Sequence, residues 1–224
     1  MEHAFPLPHI YQFRVVVQGI SPLIWRRILI RSDMFLATLH ATLQIVFAWS
    51  DVHLQHFRIH GKAYGCARVG GPHFEDDPRH VPLGQLRLYR GERFTYVYKF
   101  IDHWVCDLRL EAVLPLDSGG HYPVCLGGKR AAPPEDCGSA WAYLQRVDRY
   151  HVPLEAMALV ATTIEHVLEA DDQMTIRQLI GDPETFREAV DQLDAYLRFR
   201  PEHFDRRDVN NRLRALSQPE GTLP

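Results

Sequence analysis

Phe94-Thr95-Tyr96-Val97-Tyr98-Lys99-Phe100-Ile101-Asp102-His103-Trp104-Val105-Cys106-Asp107-Leu108-Arg109-Leu110 alternates twice. Phe94, Tyr96, Tyr98 and Phe100 share one side of a first strand. Trp104, Cys106, Leu108 and Leu110 share one side of a second, and the polar interval at Asp102 marks the turn between them. A period of two sends successive side chains to opposite faces, so each segment reads as a half-buried strand and the pair as a hairpin.

The same pattern occurs upstream. Tyr11, Phe13, Val15 and Val17 alternate with Gln12 and Arg14; after the turn Gly19-Ile20-Ser21-Pro22, Ile24, Ile28 and Ile30 oppose Trp25, Arg27 and Leu29. This predicts a further hairpin. Leu36, Leu39, Leu43, Val46 and Phe47 switch to a helical period, with Ser32 or Asp33 as N-cap and an end near Trp49-Ser50-Asp51. A strand over Leu54 to His60 would carry His56, Arg58 and His60 on its outer side, a solvated face. Residues 65 to 85 read as a surface loop, and 114 to 139, rich in Gly and Pro, as a long irregular segment. The remainder is helical: one helix marked by Trp141, Leu144 and Val147, one by Leu154, Met157, Ala161, Ile164 and Leu168, one opened by an Asp182 cap with Pro183, and a last over about 206 to 216. Strands first and helices after, without βαβ alternation, indicate an α+β fold on a mainly antiparallel sheet of two or more hairpins with helices packed on it, plus a C-terminal helical elaboration.

The 224 residues suit one domain, and at 46% hydrophobic they bury a sizeable core. The net charge of −3 lacks the global basic excess of a nucleic-acid binder, although arginine far outnumbers lysine (Lys62, Lys99 and Lys129) and leaves room for a local patch. The N-terminus has neither the basic nor the apolar region of a signal peptide. Cys66, Cys106, Cys125 and Cys137 are irregularly spaced, which indicates reduced thiols and a cytoplasmic location.

Several co-linear strings carry a family resemblance: Gly19-Ile20-Ser21-Pro22-Leu23-Ile24-Trp25-Arg26-Arg27, Leu39-His40, Trp49-Ser50-Asp51-Val52-His53-Leu54, Asp102-His103-Trp104, Tyr122-Pro123-Val124-Cys125-Leu126-Gly127-Gly128, Pro133-Pro134-Glu135-Asp136-Cys137-Gly138 and Pro201-Glu202-His203-Phe204-Asp205 with Asn210 and Leu213. In this order they resemble the Ri-plasmid ORF-three-like family, some of whose members carry a TnpR-like label. The resemblance covers roughly 10 to 152 and 199 to 216, leaving 155 to 198 as a helical elaboration of a single α+β domain over 1 to 224. It implies a compact α+β fold and an association with plasmids and mobile elements, and no defined activity. The chain departs from the family pattern where Lys99 stands for a carboxylate, Ile101 for a glycine, Cys106 for a histidine and Gln55 for the second histidine of a His-Leu-His string.

Candidate chemistry gathers in two places. Asp102 and His103 lie at the turn of the aromatic hairpin; Arg130, Glu135 and Asp136 lie in the loop. Together they form the expected binding set. Asp102, His103, Cys125 and Cys137 are donors that would suit zinc, but their spacing is not that of a zinc knuckle, and no cofactor is expected. Glu135 and Asp136 have the residue types of a general base, but the reading favoured here is a cap, with Asp136 or Ser139 closing the N-terminus of the helix led by Trp141. The aromatic alternation reads as core before a base-stacking platform. No P-loop, GxGxxG, HExxH or GxSxG is present, and neither a serine nor a tyrosine recombinase constellation can be assembled. The favoured function is a non-enzymatic binding or interaction module working through the loop near 121 to 139, with a protein partner or small ligand preferred over nucleic acid and no membrane. A metal-assisted hydrolase or nuclease and a DNA-binding accessory protein are the alternatives.

Overall fold

The structure, a computed structural model, describes residues 8–65, 74, 76–117, 119–148, 154–169, 182–198 and 200–216. Its centre is a seven-stranded sheet: β1 (His9–Val17), β2 (Trp25–Arg31), β3 (Gln55–Ile59), β4 (Lys62–Gly65), β5 (Arg93–Tyr98), β6 (Trp104–Pro115) and β7 (Val124–Lys129) in the order β4-β3-β5-β6-β1-β2-β7. Each neighbouring pair is antiparallel. With five helices described, α1 (Leu36–Phe47), α2 (Ala140–Asp148), α3 (Leu154–Glu169), α4 (Pro183–Arg198) and α5 (Arg206–Leu216), the fold is α+β. The helices are those the periodicity predicts, and both expected hairpins, β1–β2 and β5–β6, form.

One face of the sheet is the core. Phe13, Val15, Ile28, Ile30, Phe57, Tyr96, Tyr98, Trp104 and Leu108 are sealed there together with Leu36, Leu39 and Leu43 of α1. The aromatic alternation is therefore core as far as Tyr98, while Phe100 falls beyond the strand and is half-buried. Trp25 proves to be on the opposite face, half-buried with Arg14 and Arg27, because its register neighbour Arg26 takes the inward position. Arg26 is 1% exposed. Its guanidinium donates to the carbonyls of Val46 (2.7 Å), Trp25 (2.8 Å) and Lys129 (3.0 Å) and lies over the rings of Phe204 and Phe47. Burial pulls this guanidinium down to about 10. Gly128 is required here, since a Cβ would stand 2.8 Å from Arg26 Cδ, Phe204 and the Trp25 carbonyl.

Four expectations are corrected. The irregular segment 114–139 contains the end of β6 and all of β7. Beyond the undescribed residues 66–73 and 75, which include Cys66, the surface loop is two 3-10 turns, Pro78–His80 and Leu83–Leu86, that bury Pro78, Val81 and Leu83. Neither Ser32 nor Asp33 caps α1. Phe35 holds that place, the Leu36 N–H is satisfied by the distant Val81 carbonyl, and Asp33 pairs with Arg31. Trp141 is exposed on α2, and Tyr143 is buried instead.

The C-terminal helix α5 closes the β7 edge. Asn210 accepts from the Cys125 N–H at 2.8 Å and donates to its carbonyl at 3.0 Å, while Arg206 donates to Leu126 O, so an amide side chain imitates a neighbouring strand. By backbone contacts the chain divides into two compact units, 1–144 with 202–224, and 145–201. In the second unit α3 and α4 pack on each other through small residues, Ala156, Thr163 and Ala189, while Leu154, Met157, Ile164 and Leu168 are exposed. The N-cap of α4 is as expected: Asp182 accepts the N–H groups of Glu184 and Thr185. No helix among the described residues is long and apolar enough to cross a membrane.

Candidate functional site

Helix α1 ends in a hook. Ala48 takes a left-handed conformation, as does Asp51 (φ 61), and the segment between them turns back toward the sheet. A stack of rings runs through the hook: Phe47 on Trp49 at 4.9 Å, Trp49 on Tyr98 at 5.1 Å, and His53 edge-on to Tyr98 at 5.7 Å. Trp49 Nε1 donates to the Pro133 carbonyl at 3.1 Å and so fixes the far loop against the hook.

Two polar networks surround this stack. The first is a closed ring of four side chains. His40 Nε2 meets Asp51 Oδ1 at 2.7 Å, His40 Nδ1 meets the Tyr96 hydroxyl at 2.8 Å, Gln44 Nε2 donates to that hydroxyl at 2.7 Å, and the Asp51 N–H donates to Gln44 Oε1 at 3.2 Å. One assignment satisfies every member: a neutral imidazole carrying its proton on Nε2, given to Asp51, and accepting the Tyr96 O–H at Nδ1. Burial holds the His40 imidazole below the usual histidine range, with Asp51 only partly opposing, in agreement with a neutral ring.

The second network joins the loop to the sheet. Glu135 accepts the Ser50 N–H at 2.8 Å, the Ser50 hydroxyl at 2.5 Å and the Tyr98 hydroxyl at 2.5 Å. Burial alone would raise its pKa; these donors overcome that and hold it below the usual glutamate range. Burial and the facing carboxylate push the Tyr98 phenol well above its ordinary range, so it remains a donor. Lys99, in a left-handed conformation at the end of β5, bridges three oxygens: the Glu135 carbonyl (2.8 Å), Asp136 Oδ1 (2.6 Å) and Asp102 Oδ2 (2.7 Å). The contact with Asp102 is ionic, off the line of a directed hydrogen bond. Lys99, the departure from the family pattern, is thus the residue through which the turn at Asp102 and the loop at Glu135 meet. His53 Nε2 lies 3.9 Å from Asp136 Oδ1.

The other expected site residues are scattered. His103 is exposed in the turn and its side chain makes no hydrogen bond or ion pair among the described residues. Arg130 pairs with Glu202 and donates to the Pro22 carbonyl. Cys125 is buried in β7 beside Arg26, three strands from β6, so the set Asp102, His103, Cys125 and Cys137 is not gathered. Among the described residues no three His, Cys, Asp or Glu side chains converge as metal ligands. Ser139, which accepts the Ala142 N–H, caps α2, and Asp136 does not. His60 is at the β3–β4 turn and pairs with Glu92.

Beside the hook lies a pocket of about 210 Å³ lined by Ala37, His40, Asp51, His53, Gln55 and Arg79, among others. Gln55 is 8% exposed and its amide makes no hydrogen bond among the described residues; Oε1 is fully enclosed. The sequence reading did not single out His40, Asp51 or Gln55 as site residues. Their signal was present in the strings Leu39-His40 and Trp49-Ser50-Asp51, where a polar residue follows the apolar stripe of α1 and an acid follows its end.

Comparisons extend this picture. The uncharacterised protein y4hQ of Sinorhizobium fredii (strain NBRC 101917 / NGR234) is 28% identical over 135 residues, which are 60% of this chain and 69% of that protein. The crystal structure of MM3350, a protein of unknown function from Methanosarcina mazei Go1, superposes with a TM-score of 0.61 at 28% identity, covering 91% of this chain and 98% of that one. The model of the plasmid pRiA4b ORF-3-like proteins matches residues 9–208, and by the extent of that match the chain belongs to this family.

Proposed function

We propose that this protein is a non-enzymatic binding module whose ligand enters the pocket between the α1 hook and β3. The observation that carries the reading is Gln55: a buried amide on the pocket with its hydrogen-bonding capacity unspent, where an unsatisfied buried polar group ordinarily costs about 1–3 kcal/mol. Asp102, Glu135 and Asp136, by contrast, are engaged by Lys99, Ser50 and Tyr98. They act as a lock between loop and sheet outside the lining of the pocket, and as bases they would have to break that lock first. Beside Gln55 stands Asp51, whose side chain is 55% exposed and accepts from His40 through one oxygen, so the pocket offers the other carboxylate oxygen to a small ligand with N–H donors, an amine or an amidinium.

Titration with methylguanidinium and ethylammonium, followed by backbone amide shifts, tests this. For ligands of so few atoms roughly millimolar affinity is expected. The expected result is a saturable perturbation centred on Asp51, His53 and Gln55 that is lost in Gln55→Leu. No saturable change there, or the same change in Gln55→Leu, contradicts the reading.

A further inference from the structure

The outer face of the sheet carries a feature that folding does not ask for. The register pairs Arg27 with Arg14 across β2 and β1, Arg14 with Arg109 across β1 and β6, and Arg109 with Arg93 across β6 and β5. Burial alternation along these strands puts all four side chains on the face away from the core. They form one row at right angles to the strands, and with neighbouring strands about 4.8 Å apart the row is about 14 Å long. Like charges directly opposed across a sheet destabilise it.

Neutralisation of the row is partial. Arg27 is held by Glu111, the extra residue of the β1–β6 bulge, at 2.6 Å, and Arg93 by Asp107 at 2.9 Å. Arg14 and Arg109, the two middle members, form no ion pair with a carboxylate among the described residues, although the charge of Arg14 is felt by Glu111. Arg14 lies over the Trp25 ring at 5.7 Å, and Arg27 approaches the same ring at 5.6 Å. A groove of about 360 Å³ opens on this face, with Arg14, Arg93, Arg109 and Asp107 at its charged part and Val16 and Leu23 at its apolar part.

We propose that this row binds the phosphodiester backbone of a single strand of nucleic acid, a site separate from the pocket beside α1. Guanidinium forks match phosphate oxygens in pairs, and the row is built from arginine alone although lysine would supply the same charge. Its length accommodates more than one phosphate of an extended strand. The half-buried Trp25 and the apolar part of the groove give bases a surface to lie on, the combination by which single strands are held without sequence preference. An acidic peptide would satisfy the charge but has less use for the aromatic and apolar flank. The −3 net charge of the whole chain bears on long-range attraction, and the row supplies a local field that a chain average conceals.

Fluorescence anisotropy of a labelled oligothymidylate of about twelve nucleotides against the full chain, at increasing salt, tests the proposal. Each phosphate neutralised on a single strand contributes a slope of about −0.7 to the logarithm of affinity against the logarithm of salt, so engagement of three or four arginines gives roughly −2 to −3. In an Arg14→Gln, Arg109→Gln double variant affinity should fall at least about tenfold and the slope should become shallower by about 1.4. Because the row repels itself, the same variant should melt no lower than the original chain, which separates loss of binding from loss of fold. Absence of binding by the original chain at low ionic strength overturns the proposal, as does unchanged binding by the double variant. Competition by polyglutamate of equal charge as effective as by unlabelled oligonucleotide would also overturn it, and would assign the row to an acidic peptide.

Discussion

On the inner side of β6, Trp104, Cys106, Leu108 and Leu110 are sealed from water; on the outer side of the same strand stand Val105, Asp107, Arg109 and Glu111. Both sides hold charged and polar groups, but on different terms. Inside, Arg26 has three carbonyl partners, and His40, Asp51, Gln44 and Tyr96 close a ring in which every donor finds an acceptor. Outside, four arginines face each other in register, and among the described residues only the two at the ends form ion pairs with carboxylates. The fold meets the needs of Arg26 and of the His40 ring, whereas Gln55 at the pocket and the middle arginines of the outer row keep hydrogen-bonding capacity to spare.

The contrast breaks most visibly at tryptophan. Trp104→Ala should cost about 3–5 kcal/mol, the usual loss for a sealed large aromatic, whereas Trp25→Ala on the outer face should cost less than about 1 kcal/mol. Urea titration of both variants checks this, and equal losses would erase the distinction between the faces. Next is Arg26. Its replacement by Met strips three carbonyls of their donor and should destabilise by about 3 kcal/mol; a neutral result would show that the buried guanidinium is dispensable to the core.

A smaller effect concerns acid. His40 is neutral in the folded chain, and its folded pKa is below that of the unfolded chain. The unfolded state therefore takes up the proton first, and the stability tied to the neutral ring is complete above about pH 6.5 and lost as pH falls through the folded value. Melting temperature should decline over that window by a few degrees, and His40→Gln should remove this part of the decline. An undiminished decline in the variant would assign it to another group.

How much of this was legible in the sequence depended on the range of the interaction. Strands β1, β2, β5 and β6 declare themselves by alternation, and α4 by the Asp182-Pro183 start, because those signals lie within a few residues. β7 is hidden: Val124-Cys125-Leu126-Gly127-Gly128-Lys129 has glycines that read as loop, and the segment becomes a strand by pairing with β2 on one edge and with Asn210 on the other. The start of α1 escapes for the same reason, since its first N–H is answered by Val81 from a segment that reads as surface. At the site, the meeting of the Asp102 turn with the Glu135 loop was anticipated, but the connecting residue was not. Lys99 stood out only as a departure from a pattern, and nothing local says that its side chain bridges three oxygens supplied by two segments. The His40 ring was missed because its members come from α1, its hook and β5, with each residue polar in an ordinary way on its own.

The account rests on the carboxylates near the hook being a lock and not the working groups of a pocket. The stability of an Asp102→Asn, Glu135→Gln double variant reads this directly. A lock loses charge-assisted hydrogen bonds to Ser50 and Tyr98 and the ionic contact with Lys99, so denaturant titration should show a loss of more than about 2 kcal/mol. Because Glu135 has a depressed pKa, its share of that loss should be present above about pH 4.3 and vanish as pH falls through the folded value. Unchanged or increased stability at neutral pH, as expected when carboxylates are held at a cost for function, would contradict the account.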